Sequence, residues 1–295
     1  MKKVFIFTTF VIFTLHSQAQ RGYVRRAVRD NIEEKQEEKH QGERDKGEKA
    51  VDERLDTWDA NDKKVRAGIQ PFPTMSMTME LDYPEKPKNN GSISYYYKDY
   101  DCAAVMKFEK SKQSSDRIIM NFKLGKTTML MTDKHGRKTG LVMELRTMDW
   151  AVKSAYKKEI KAIESGEATI KETNEYKVIE GYKCRKYIYD NERYTSEMWV
   201  TKDAKLNQAQ LNKAWNSAFM HSADPNQSVY AKVGMHGVLI QTHMMPKENR
   251  MDECIMTFKD IRTGSVPAEM FSTAGYDVEE MPTMRNMWDS YKQEK

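Results

Sequence analysis

Little in this sequence points to a reaction. Cysteine is scarce: Cys102, Cys184 and Cys254 are the three thiols of a 295-residue chain. Their spacing fits no zinc motif, which asks for closely paired ligands. Three thiols allow at most one disulfide, in any of three pairings, or none, in which case they are small buried hydrophobes. Histidine is scarce too, with six residues. His40 falls in a charged stretch and His135 in a turn, positions where imidazoles are solvated. No nucleophile elbow, zinc-hydrolase helix or phosphate-binding loop occurs. These absences argue against an enzyme and call for no cofactor.

Charge of one sign is lacking as well. The formal net charge is +5, and without Lys2 and Lys3 it falls to 5 − 2 = +3. That excess is small and unclustered, so nucleic acid is not the expected partner. Long apolar runs are missing beyond the start of the chain. Residues 4–15 form one run, broken only by Thr8, Thr9 and Thr14. It follows Lys2 and Lys3 and precedes Ser17 and Ala19, small residues at the −3 and −1 positions of a cleavage site. The run is too short for a bilayer, which takes about 20 residues. Residues 1–19 therefore read as a cleavable signal peptide. The mature chain is expected to be periplasmic or secreted, without a transmembrane segment.

What the sequence does have comes in three blocks. Residues 20–69 form a charged leader. Between 21 and 66 there are thirteen basic and thirteen acidic residues, so the signs cancel. Mixed charges at this density suit a solvated helix or a disordered leader. Val24, Val28 and Ile32 recur near one end, and Val51, Leu55 and Trp58 near the other. Residues 70–283 form the main domain, and 284–295 a C-terminal tail.

The domain opens after Pro71 and Pro73 with a switch to period two, the mark of half-buried strands. Met75, Met77, Met79, Leu81 and Tyr83 share one face of the first strand. A second strand carries Tyr95, Tyr96 and Tyr97. Further apolar rows follow in hairpin order: Ala104, Met106 and Phe108; Ile118, Met120, Phe122 and Leu124; Met129 and Met131; Leu141, Met143 and Leu145. Gly125-Lys126 and residues 133–136 supply turns. Residues 150–165 read as a helix ending at Gly166, and 203–221 as a second helix stopped by Asp224-Pro225. Strands resume near Thr169, Glu180-Gly181 or its neighbours make a turn, and 182–189 and 194–201 pair as a hairpin. Two more cover 238–245 and 251–261. From Thr263 the chain, with Pro267 and Pro282, is expected to be extended. The predicted fold is mainly β (α+β), a curved antiparallel sheet or half-barrel of about eight to eleven strands with helices packed on its concave face.

Successive side chains of a strand point to opposite faces, so these rows converge on one surface. Its candidate ligand-binding residues are Met75, Met77, Met79, Met106, Phe108, Ile118, Met120, Phe122, Met129, Met131, Leu141, Met143 and Leu145. Burying one methionine or leucine is worth about 1.5–3 kcal/mol, so something must cover the surface. Two covers are open: the protein's own helices, or an apolar ligand to which pliable methionines adapt. Copper(I) is a further candidate, since Met75, Met77 and Met79 alternate and Met235, His236, His243, Met244 and Met245 cluster. His236 and His243 are seven apart, however, which puts them on opposite faces of a straight strand.

Three segments resemble a known family. TNEYKVIEGYKCRKY (173–187) leading to EMWVTKD (197–203) is similar to the central motif of the exported bacterial domain of unknown function numbered 4412. RIIMNFKLGKTTMLM (117–131) is similar to that family's hairpin. VPAEMFSTAGY (266–276) resembles the end of the wider LolA/LolB-like half-barrels, named for lipoprotein localisation factors. The resemblance spans roughly residues 72–282 and leaves the charged leader outside. It implies a curved sheet able to hold acyl chains and brings no catalytic residues. The expected function is a non-enzymatic cell-envelope protein binding a lipid or acylated ligand on the methionine-rich face. The alternative is an envelope structural or interaction protein with a closed core, whose partner is another envelope protein.

Overall fold

The structure is a computed structural model and describes residues 41–108, 115–145, 161–203, 237–248 and 252–293. The segment expected as a signal peptide, most of the helix expected at 150–165 and most of that expected at 203–221 lie outside the described residues.

A helix opens the described chain. α1 (Gln41–Ala67) is 27 residues long. Of the block of mixed charges expected as a helical or disordered leader, the described part from residue 41 on is helical. It ends at Gly68, whose N–H donates to the Val65 carbonyl at 3.0 Å.

Twelve strands then build one curved, unclosed sheet. They are β1 (Phe72–Asp82), β2 (Gly91–Asp99), β3 (Asp101–Phe108), β4 (Ser115–Asn121), β5 (Lys126–Thr132) and β6 (Lys138–Glu144) in the first half. The second half holds β7 (Ala168–Ile179), β8 (Tyr182–Asn191), β9 (Tyr194–Thr201), β10 (Val238–Pro246) and β11 (Cys254–Thr263), with β12 (Asp277–Glu280) near the end. The order across the sheet is β12-β6-β5-β4-β3-β2-β1-β11-β10-β9-β8-β7. Each half is a meander, and β1 pairing antiparallel with β11 joins them.

The hairpins follow turn chemistry read from sequence. Ile179 pairs with Tyr182. The two loop residues, Glu180 and Gly181, both have positive φ, 51° and 80°. That is the mirror-image turn whose twist matches two adjoining strands. Pro73 sits at the second position of β1, where the register with β2 shifts between Phe72 and Met75. A proline is tolerated at such an irregular strand start. Register also shifts at Ser76/Thr78 against β11, at Leu239/Gln241 against β9 and at Glu172/Tyr176 against β8. Bulges of this kind bend a strand and increase its twist, which curves the sheet.

Twelve strands exceed the expected eight to eleven, and the difference lies mainly in the tail. The stretch after Thr263, expected to be extended, crosses the outer face instead. Residues Ala268–Phe271 make a short 3-10 turn, and Asp277–Glu280 adds β12 in parallel to β6. Met270, Phe271, Tyr276 and Val278 pack on Ala103, Ile119 and Leu130 of the outer face. The Arg117 guanidinium donates to the Glu269 carbonyl and, at 2.7 Å, to that of Ser272. Residues 284–295, expected as a tail, carry α2 (Met284–Gln293). Its Trp288 is buried and donates from Nε1 to Asp52 of α1 at 3.0 Å.

Candidate functional site: the inner face of the sheet

Antiparallel pairing sets the apolar residues of neighbouring strands side by side in rows. One row runs Met79, Ile93, Met106. The next runs Met77, Tyr95, Ala104, Ile118, Met129, Leu141. A third runs Met75, Tyr97, Cys102, Met120, Thr127, Met143. These rows form the inner face and the largest apolar cluster of the described chain. A one-residue slip of any strand would send its whole set to the other face, so the alternation itself holds the register.

The thirteen residues expected on this face divide by burial. Met75, Met77, Met79, Met106, Ile118, Met120, Phe122 and Met129 are buried, none more than 8% exposed. Phe108, Met143 and Leu145 are half-buried and pack against them. Met131 and Leu141 are half-buried, paired with Thr139 and Met129 respectively. Burial therefore falls from β1–β4 toward β5–β6. Part of the cover is the helical turn at 161–164, whose Ala162 and Ile163 pack on the cluster.

Alternation in the second half adds residues that the sequence reading left out. Tyr187, Tyr189, Tyr194, Met198, Val200 and Met244 join the same cluster. Here the face is richer in hydroxyls. Tyr187 donates to Glu172 Oε1 at 2.8 Å, and Asn191 Nδ2 donates to the Tyr189 oxygen at 3.0 Å. The Ser196 and Thr242 hydroxyls bond to each other at 2.7 Å. The inner face thus grades from thioether and alkyl surface to hydroxylated aromatic surface. The signal was the spacing of Tyr187 with Tyr189, and of Tyr194 with Met198 and Val200, blurred by apolar residues on the opposite side.

That opposite side carries Ile179, Cys184, Trp199 and Ile240 as a smaller cluster. A lattice of charges surrounds it. Lys186 Nζ bridges Glu197 at 2.7 Å and Glu175 at 3.3 Å, and lies 5.8 Å from the Trp199 ring centroid. Lys177 covers the same ring at 5.6 Å. The long alkyl stems shield the indole, and the Lys186 ammonium is held between the two carboxylates.

All three cysteines are free and buried. Loss of hydration is the main cause that pushes their thiols up, Cys102 to about 12 and Cys184 and Cys254 to about 11. Tyr95 and Tyr97 are held above the usual phenol range for the same reason.

Among the described residues, the copper candidates divide between the two faces of the sheet. Met244 belongs to the inner cluster, whereas His243 pairs with Glu197 on the outer side. There its Nε2 meets Glu253 Oε1 at 2.5 Å. Met235 and His236 lie outside the described residues. Among the described residues, no three His, Cys, Asp or Glu side chains group as ligands for a metal ion. No helix among them is long and apolar enough to cross a membrane.

The family described as Domain of unknown function (DUF4412) matches residues 74–276, from β1 through the strap that crosses the outer face. The chain belongs to the DUF4412 family. No curated protein matches it. Among solved structures it is similar to PNGF-II, at 12% identity and a TM-score of 0.33, covering 75% of this chain and 33% of that one. It is similar to MucB in complex with MucA(peri), at 9% identity and a TM-score of 0.37, covering 71% and 57%. It is also similar to a LolA superfamily protein from Nitrosomonas europaea, at 9% identity and a TM-score of 0.25, covering 71% and 94%. The chain thus spans about a third of the length of PNGF-II and just over half that of MucB. The DUF4412 match takes in β1 to β11 and leaves both α1 and α2 outside.

Proposed function

We propose that this DUF4412 protein is an exported, non-enzymatic binding protein of the cell envelope. It holds the acyl chain of a lipid or lipidated ligand against the inner face of its sheet and admits it on the β5–β6 side. The graded burial carries this reading. The methionines of β1, β3 and β4 are sealed, whereas Met131, Leu141, Met143 and Leu145 keep half-open contact with solvent. A run of partly wet apolar side chains continuous with a buried one is where an apolar ligand gains most by desolvation. Methionine fits irregular chains because its thioether stem is flexible and polarisable. Export rests on the charged start, the apolar run at 4–15 and the small residues Ser17 and Ala19.

Titration with a fluorescent fatty acid, beside thermal melting, tests the reading. Met143→Glu should leave the protein folded and lower its uptake at least tenfold, because the new carboxylate sits on a rim that water reaches. Met120→Glu places an unpaired charge in a sealed site and should unfold the chain. Wild-type protein that takes up no acyl ligand would sink the proposal.

A second reading keeps the same fold with a permanently closed core and assigns function to contacts with an envelope protein. It is favoured by the deep burial of Met75, Met77, Met79, Met106, Met120 and Met129 within the chain itself. Under it, Met143→Glu changes stability alone.

A further inference from the structure

Burial divides the methionines of the inner face. Met75, Met77, Met79, Met106, Met120 and Met129 are sealed, none more than 8% exposed. Met131 and Met143 are half-buried, and both lie on the β5–β6 pair. They flank Leu141: Met131 stands opposite Thr139, and Met143 opposite Thr127. Met256 of β11 is also half-buried and packs on this face. A thioether reacts with a peroxide where the oxidant can reach it. Thiols would compete for the oxidant, but Cys102, Cys184 and Cys254 are all buried.

We infer that Met131 and Met143 are sites of reversible oxidation by a peroxide, and that their sulfoxides release an acyl chain held on the β5–β6 side. Release rests on the acyl-binding reading of this face, whereas the order of oxidation does not. The sulfur attacks one oxygen of hydrogen peroxide. An S–O bond forms as the O–O bond breaks, and sulfur gives up two electrons. The second oxygen leaves as water with both peroxide protons. A methionine sulfoxide reductase reverses the step with two electrons and two protons from thiols, and the oxygen leaves as water.

The added oxygen acts differently on fold and on ligand. Water reaches both rim positions, so the oxidised chain stays folded. Thr139 and Thr127 also set a hydroxyl-bearing residue directly across from each, where opposed Cβ atoms lie about 4.5–5.5 Å apart. An acyl chain laid over the rim displaces that water and returns no hydrogen bond to the sulfoxide, so binding weakens. Met129, two residues from Met131 on the same strand, has Ile118 and Leu141 opposite instead. It is sealed from the oxidant, and its sulfoxide would meet alkyl groups across both strands.

Hydrogen peroxide treatment of the folded full chain, followed by digestion and mass mapping, tests the sites. Met131 and Met143 should gain oxygen about tenfold faster than the six sealed methionines. Uptake of a fluorescent fatty acid should then fall by about fivefold or more. It should return after treatment with sulfoxide reductases and a thiol. Met245, Met256, Met270, Met281, Met284 and Met287 are half-buried as well. The double variant Met131→Leu with Met143→Leu keeps all of these, so it isolates the rim. Leucine is close to methionine in volume and has no sulfur to oxidise. Compared with itself before and after peroxide, that variant should keep its uptake, whatever its starting affinity. Untreated wild type that takes up no fatty acid would remove the acyl-binding reading and the switch with it. Rim methionines oxidised no faster than the sealed ones would overturn the sites themselves. Wild-type uptake that survives oxidation of both would overturn the switch alone, as would a leucine variant that loses as much uptake as the wild type.

Discussion

The guanidinium of Arg66 lies directly over Gly125, so that a Cβ on residue 125 would overlap its Nη1 and Cζ atoms. Arg66 ends the leader helix and Gly125 turns the β4–β5 hairpin. The same guanidinium donates to the Phe122 carbonyl at 3.1 Å and grips Asp62 at 2.6 and 2.8 Å. Lys123 returns a bond to the Arg66 carbonyl at 3.2 Å. Helix and hairpin are thus locked through a glycine that has both the space and the left-handed φ of 65° the turn needs. Gly125→Ala should cost about 1–3 kcal/mol, from the strained φ and from expelling Arg66. Adding Arg66→Ala should recover the steric part and leave the backbone part. Denaturant unfolding of the three variants measures both, and a double variant no more stable than Gly125→Ala would refute the steric share.

In the middle of α1, Asp52, Asp56 and Asp59 lie along one side and meet α2. Arg285 reaches Asp52 and Asp59 at 3.5 Å and also bonds Asp56. Lys292 reaches Asp52 at 3.1 Å. The hydrogen bond from Lys292, above all, holds the Asp52 carboxyl below its ordinary value of 3.8. A carboxylate lowered by folding adds stability that is present above its unfolded value and lost as pH falls through the folded one. Docking of α2 should therefore be intact at neutral pH and loosen below about pH 4. Hydrogen exchange at residues 284–293 across this range checks it. Asp52→Asn should bring fast exchange to neutral pH. Protection that does not change with pH or with the substitution would assign the docking to Trp288 packing alone.

The methionine rows were legible because alternation is local. Met75, Met77 and Met79 need no knowledge of their neighbours to declare a face. The β1–β11 pairing was not legible, since Met79 and Phe258 meet across most of the chain and nothing near either one specifies the other. The second half of the inner face was masked by two-sided burial. Cys184, Trp199 and Ile240 are apolar on the outer side, so β8 to β10 lose the clean polar row that marks β1. Ile240 also sits at a register shift, where period two breaks. Strand β12 eluded the pattern altogether. Its sequence, Asp-Val-Glu-Glu, has one apolar residue, and it becomes a strand only because β6 is there to pair with it.

Three free, buried thiols make a sharp chemical expectation. Each is buried, and each is raised well above neutral pH, so the reactive thiolate is scarce and out of reach. Native protein should resist a thiol-specific reagent, and unfolding should release three reactive groups at once. Intact mass should be the same with and without reductant. A loss of two protons, reversed by reductant, would reveal a bridge that contradicts the packing of Cys102, Cys184 and Cys254.

Arg117 is the most testable point of the strap. From the outer side of β4 it donates to two successive turns of the strap, at the Glu269 and Ser272 carbonyls. Ile119, two residues on, packs beneath Met270 and Phe271 on the same side. The strap has little periodic sequence of its own, so its position depends on contacts such as these, on the packing of Tyr276 and Val278 and on β12 pairing with β6. A guanidinium is planar and forked, and it can serve two carbonyls at fixed separation. A lysine ammonium in its place is a single point on a flexible stem. Arg117→Ala should therefore cost about 2–3 kcal/mol, since hydrogen bonds from charged donors are each worth about 1.5–3 kcal/mol. Arg117→Lys should recover less than half of that. Exchange at 277–280 should rise in both variants, because releasing the strap frees β12 from its parallel partner. Exchange in β1, far across the sheet, should stay at its wild-type rate. If lysine restored full stability, the role of Arg117 would be its charge and not its fork. If exchange rose equally in β1, the substitution would have loosened the whole sheet, and the strap would not be a separately held element.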